Sequence, residues 1–398
     1  AGHWLTPGLV DAHVHFSQTG WADGRPDSLD VRESHPYEET VAALEDRPEG
    51  FFRSYLCSGV TAVFDVGGYP WTWALQEATA ASSEAPRVAA VGPLLSTWDF
   101  WLNLPGERQF LYLAEPADAA PYARYLAARG AAAAKLWFIP VAERPFEELA
   151  ALAEAFGEAV REAGLPLIVH ATGLDEAKAA LRTGAKVLVH SVWDRPVDEA
   201  FLELAREAGT VYTPTLTVGR GYFRLYRAAL AGEAPATDDP RGCVDPETRA
   251  KVAETARLGE LARAEGLTPE RLPAFEERIA RQEEVMAANL AAVHRAGIPV
   301  AMGTDAGNPL TLHGPSVYAE LEAMEAAGLA PADVLVAATR NGARAMGLED
   351  ELGTVEPGKS ADLLVLAADP TASARAFREL RWVVRAGVAR RVEELAYD

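Results

Sequence analysis

Leu9-Val10-Asp11-Ala12-His13-Val14-His15-Phe16, reached through Thr6-Pro7-Gly8, decides how the rest of the chain is read. It is a short apolar run of the kind that forms a buried strand, with its histidines gathered at the C-terminal end. Side chains alternate across a strand, so His13 and His15 share a face. Two imidazoles side by side at a strand end can grip one divalent metal ion. Taken alone, they can equally be half-buried histidines bonded to backbone.

Similar runs recur along the chain, at residues 60–66, 87–91, 132–138, 165–170, 186–190, 210–213 and 298–303. Most are continuously apolar, as parallel strands buried on both faces are. Helix-patterned segments, such as 146–163 and 175–183, lie between them. This alternation predicts a (β/α)8 TIM-type barrel over residues 9–350. A doubly wound open sheet is the alternative, but no glycine-rich phosphate fingerprint follows the first run.

The connection between Leu216 and Ile298 is too long to be an unstructured loop in a compact domain. Patterned stretches at 246–263 and 273–296 predict a helical insertion over 217–297, shaped to serve as a lid. After Gly347 the style changes to turn-rich Leu352-Gly353-Thr354-Val355-Glu356-Pro357-Gly358-Lys359, then short strands near 361–366 and 381–385. Residues 351–398 are expected to form a small β-sandwich-like appendage, with residues 1–8 as a remnant of its N-terminal part. The chain opens Ala-Gly-His, so an upstream segment such as a targeting peptide remains open.

The net charge of −21 speaks against nucleic acid or an acidic membrane surface as partner. No apolar run reaches the ~18 residues of a membrane span. A small-molecule substrate is the expected partner, with a homo-oligomer open and a cytoplasmic setting favoured. The only cysteines, Cys57 and Cys243, lie far apart and give no disulfide framework. Cys57 is expected to be buried rather than reactive, with a disulfide between the two as the less favoured alternative.

The chemistry-bearing residues end or interrupt these runs: His13 and His15, Lys135, His170, His190 and Asp305. In a barrel that end is where active sites are built. Here the chain resembles the metal-dependent amidohydrolase superfamily. The matching pieces are Pro7-Gly8-Leu9-Val10-Asp11-Ala12-His13-Val14-His15, Val169-His170-Ala171, Val189-His190-Ser191, Gly303-Thr304-Asp305-Ala306-Gly307 and Glu356-Pro357-Gly358-Lys359-Ser360-Ala361-Asp362-Leu363. The spacing of His170 and His190, and Gly59-Val60-Thr61-Ala62-Val63-Phe64-Asp65, look like its imidazolonepropionase-like and prolidase-like branch.

The resemblance implies that His13, His15 and Asp305 bind one metal and His170 and His190 a second. It implies Lys135 bridging both as a carbamate, since its ammonium would repel two dications. Zinc suits such a donor set best. The implied reaction is hydrolysis of an amide bond, in a dipeptide, an N-acyl amino acid or a similar amide. A metal-bridged hydroxide would attack, with Asp305 as proton shuttle. A mononuclear cyclic-amide hydrolase or deaminase, with Lys135 unmodified, is the nearest alternative. A non-catalytic metal-binding scaffold is a further one.

Other residues are open between roles. Tyr212 ends a strand and either donates to a developing oxyanion or packs at the barrel rim. His313, in Leu312-His313-Gly314, is placed to contact substrate or support the site, and His35 lies in a bordering loop. Trp98, Phe100 and Trp101, with Trp71 and Trp73, either wall an apolar pocket or seal loops and a subunit contact. Arg220 and Arg224 either hold a substrate carboxylate or stand solvated on the insertion.

Overall fold

A computed structural model describes residues 2–25, 27–99 and 109–397. Its strands are β1 (Trp4–Pro7), β2 (Leu9–Val14), β3 (Val60–Asp65), β4 (Arg87–Ala90), β5 (Leu94–Ser96), β6 (Phe110–Tyr112), β7 (Ala134–Trp137), β8 (Leu167–His170), β9 (Val187–Val189), β10 (Val211–Thr213), β11 (Leu363–Leu366), β12 (Leu380–Arg385) and β13 (Val388–Arg391). Parallel sheets β2-β3-β4 and β10-β9-β8-β7-β5-β6 make the barrel wall. The Ala132 amide donates to the Ala90 carbonyl (2.9 Å) and joins the two.

Residues 298–303 were expected as a regular strand, and they close the barrel through looser bonding. The Tyr212 amide donates to Pro299 O (2.8 Å) and the Ala12 amide to Met302 O (3.0 Å), with bridges Tyr212–Val300 and Val14–Ala306. The crowding is extreme at Gly303. A Cβ there would lie 2.5 Å from Thr213 Cγ2 and 2.8 Å from His13 Cβ, so only glycine lets this segment pass.

Inside the barrel Val10, Ala12, Ala62, Phe64, Ile168, Val189 and Ala301 form one apolar cluster, a packed core rather than a pore. The alternate residues face a surrounding layer of helices that includes Phe146–Glu162 and Leu174–Arg182. The insertion after β10 carries helices Val218–Ala231, Pro246–Glu254, Gly259–Ala264 and Leu272–Arg295.

Cys57 is buried as expected, and for Cys57 and Cys243 the less favoured alternative holds. They form a disulfide with Cα atoms 5.6 Å apart, across a sequence separation of 186. The insertion folds back beside helix Glu49–Cys57, a proximity that spacing alone does not reveal. Lys251 reinforces the same join by reaching the fully buried Asp23 at 2.8 Å.

β1 pairs antiparallel with β11, giving a sheet in the order β1-β11-β12-β13. Arg385 pins it to the barrel side. Its buried guanidinium meets Asp362 at 3.1 Å and donates to the carbonyls of Ala85 (2.9 Å) and Thr79 (2.7 Å). Removing one partner of a buried pair strands the other charge. Arg385→Ala should therefore cost about 3 kcal/mol of stability. Urea unfolding would check this, and an unchanged midpoint would mean the sheet is held by apolar contacts alone.

Candidate active site

Val10 and Ala12 point into the barrel core, yet His13 and His15, of the other parity, also reach its mouth. The β2–β3 pairing slips between Asp11 and Val14, which switches faces within one strand. Asp11 fixes that kink. It accepts from the Thr304 amide (2.9 Å), the Thr304 hydroxyl (2.6 Å) and the His13 amide (3.3 Å). The Asp305 amide donates to His13 O (2.7 Å), so the first strand and the closing segment present their side chains to each other.

His13 Nε2 and His15 Nε2 lie 3.2 Å apart, and 3.3 and 3.1 Å from Asp305 Oδ1. His15 Nδ1 donates to Gly67 O (2.7 Å), a carbonyl that can only accept, so its Nε2 presents a lone pair. His190 Nδ1 bonds Thr215 Oγ1 (2.7 Å) and stands 3.8 Å from Asp305 Oδ2. The His170 and His190 ring centres are 4.3 Å apart. Lys135, buried on β7, lines the same cavity as His15, His170, His190 and Asp305. His190, Thr215 and Asp305 all hold positive φ, with His190 at 73° and Asp305 at 60°. Such backbone persists where the surroundings over-determine it.

Burial holds His13 and His170 well below the usual imidazole range, and His190 down to about 4. It also lowers Lys135 to about 8, against the pull of Asp305 and Asp65. Burial alone would raise Asp305, but the imidazoles around it outweigh this and keep it well below the ordinary carboxylate range. Neutral imidazoles and an ionised carboxylate are the forms that bind metal. Among the described residues, Asp305 Oδ1 and His13 Nδ1 are buried without a hydrogen-bond partner. Lone-pair atoms of His13, His15 and Asp305 thus crowd together with too few protons between them. A divalent cation relieves that crowding, and the donor set of His13, His190 and Asp305 fits one.

The other site candidates fall elsewhere. Tyr212 faces outward, because Val211 takes the inward position on β10. Its hydroxyl donates to Ser191 Oγ (3.0 Å), accepts from the Val192 amide (3.1 Å), and packs edge-on to Phe201. Of the two roles open to it, this is the packing one. His313 is buried between Phe16 and Phe51, with Nδ1 taken by the Tyr55 hydroxyl (2.8 Å) and Nε2 by Gln18 O (2.8 Å). It supports the loop carrying Gln18 and does not line the cavity. Arg220 is claimed by Glu283 and Glu276 and lines a separate cavity, so it is not a substrate clamp. Arg224 is turned to the Ala236 carbonyl. Trp98 stacks 6.5 Å from Trp137, and it is Trp137 that lines the cavity. Trp73 is locked behind the barrel by its bond to Val91 O (2.9 Å). Trp101 and Phe100 lie outside the described residues.

Sequence reasoning missed Arg25. Its buried guanidinium joins Asp27 (2.9 Å), Asn308 (2.7 Å) and Tyr222 (2.6 Å), knitting three segments beside Asp305. Only its position in the loop after His15 could have signalled this.

His313 gives a pH test. Burial lowers it from 6.5 to about 4, so the unfolded chain binds a proton there before the folded chain does. Its contribution is complete above pH ~6.5 and fades as pH falls toward ~4. His313→Phe should flatten that part of the stability profile, read from urea midpoints at pH 4.5 and 7. Parallel slopes for variant and wild type would refute the assignment.

Histidines, a lysine and an aspartate thus converge at one mouth of a parallel barrel, the place where barrel enzymes build their sites. The chain belongs to the amidohydrolase family, whose pattern it matches over residues 4–388, and is a hydrolytic enzyme acting on C–N bonds. It is similar to an imidazolonepropionase of Rhizorhabdus wittichii, 27% identical over 92% of this chain and 79% of that protein. A 5-methylthioadenosine/S-adenosylhomocysteine deaminase of Teredinibacter turnerae is 40% identical over 19% of each chain, so that match spans about a fifth of the relative. Among solved structures, a Xaa-Pro dipeptidase with bound methionine superposes with TM-score 0.67 (21% identity, 98% of this chain, 87% of that one). An A. niger ochratoxinase gives 0.66 (20% identity, 97% and 83%).

Proposed function

We propose that the protein hydrolyses an amide bond in a small molecule, such as a dipeptide or N-acyl amino acid. In this reading two divalent ions, zinc by donor chemistry, are held by His13, His15 and Asp305 and by His170 and His190. Lys135 joins the two halves as a carbamate, its Nζ bonded to the carbon of CO2 with loss of one proton. The supporting observation is the approach of His13 Nε2 and His15 Nε2 to the unpaired Asp305 Oδ1. Ions bound there supply an acidified water and a polarised carbonyl.

The chain's own residues do the rest. Asp305, ionised and with Oδ1 free of other donors, accepts the proton of the attacking water and returns it to the leaving nitrogen. Gly67 O holds the His15 ring, Thr215 the His190 ring, and Asp11 the backbone at His13 and Thr304, so little reorganisation of these parts accompanies the reaction. Trp137 and the insertion helices wall the cavity against bulk water.

A mononuclear cyclic-amide hydrolase is the second reading, favoured by the near full-length similarity to an imidazolonepropionase. Metal analysis alongside a hydrolysis screen over dipeptides, N-acyl amino acids, lactams and lactones separates the two. Two ions per chain with turnover of a linear amide supports the first reading, and one ion with lactam opening the second. A purified protein that takes up no transition metal overturns both. The buried disulfide further supports an oxidising compartment over the cytoplasmic expectation.

A further inference from the structure

A cavity of about 460 Å³ opens over the histidine cluster. One wall comes from barrel strand ends, with Phe110 and Trp137. The opposite wall is the insertion, with Tyr226, Phe275, Ile279 and Met286. A bulky apolar group fits between such walls.

The charges along these walls are not equally free. Arg25 is matched by Asp27 and by the side chains of Asn308 and Tyr222. Glu283 is held by Arg220. On helix Leu272–Arg295, Glu276 also turns to Arg220, and Glu277 to Arg281. Arg278, on the same helix, also lines the cavity and is exposed. Its guanidinium stands 4.7 Å over the Phe275 ring, and no carboxylate among the described residues pairs with it. In a chain of net charge −21, an unneutralised cation facing a cavity is unusual company.

We infer that Arg278 selects amide substrates that join an apolar or aromatic group to a carboxylate, and that it takes the carboxylate at the cavity mouth. The inference rests on the amide-hydrolase reading for the reaction, but not for the binding. A planar guanidinium can keep its place over Phe275 and still offer paired N–H donors to a carboxylate. The scissile amide then lies at the cluster, and the apolar body spans the space between Trp137 and Phe275.

The test uses metal-loaded full-length protein. Binding of 3-phenylpropionate and of 3-phenyl-1-propanol is measured by calorimetry, for wild type, Arg278→Gln and Arg278→Lys. The wild type should prefer the acid at least tenfold. Arg278→Gln should lose most of that preference, and Arg278→Lys should recover part. In parallel, KM for N-acetyl-phenylalanine should rise about tenfold in Arg278→Gln with kcat little changed, while KM for N-acetyl-phenylalaninamide stays put. A preference for the acid that survives Arg278→Gln belongs to the metal cluster and overturns the inference, as does equal binding of acid and alcohol by wild type. If binding behaves as expected but neither amide is cleaved, the inference stands and the reaction assigned above must be revised.

Discussion

Asp305→Asn lowers kcat/KM for an amide substrate about 10³-fold, the span of a lost general acid–base group. The change replaces an acceptor-only oxygen pair with one acceptor and one donor. Asp305 Oδ1 faces His13 Nε2 and His15 Nε2, so the new amide group puts N–H where a lone pair is needed or leaves a neutral oxygen in place of an anion. The backbone anchors survive, because the Asp305 amide still donates to His13 O and Asn308 still bonds Asp305 O. Circular dichroism should therefore match the wild type while turnover collapses. Metal content measured on the same sample separates a lost ligand from a lost proton acceptor. Wild-type turnover in this variant would remove Asp305 from the chemistry.

Loss of the Cys57–Cys243 bond costs stability of the order of 5 kcal/mol. The closed loop spans 186 residues, and cross-linking so long a segment removes much of the freedom of the unfolded chain. The Cys57→Ala, Cys243→Ala double variant should show a clearly lower urea midpoint than oxidised wild type. Both half-cystines are buried, so a reductant should act on the native protein only slowly, and faster as urea opens it. Thiol titration of denatured wild type checks the bond directly. Two free thiols without reductant would show it never forms. A variant as stable as wild type would show that Lys251–Asp23 and the apolar packing suffice to hold the insertion.

Much of this was legible in the sequence because barrel strands are short, apolar and in order, and because the site residues end them. The meeting of His13, His15, His170, His190 and Asp305 followed from the rule that strand ends converge, while Lys135, inside its run, was singled out with the help of the resemblance. Tyr212 stayed open between two roles because a three-residue strand hides its parity, and one step decides between the cavity and the helix layer. His313 and Arg220 stayed open between two roles for a different reason. Their chain positions are close to the site, but Phe16, Phe51 and Tyr55 enclose one, and Glu276 and Glu283 neutralise the other. Those partners come from distant segments, and composition carries no record of who meets whom. The disulfide and the Arg25 junction were hidden for the same reason.

The closing contact between residues 298–305 and β2 places the first and last parts of the barrel in one candidate cluster. A nascent chain that has made β2 through β10 owns His13, His15, His170 and His190 but not the aspartate that completes their company. The cluster is therefore complete only where those ends meet. A chain truncated before residue 298 lacks both the segment that closes the barrel and Asp305.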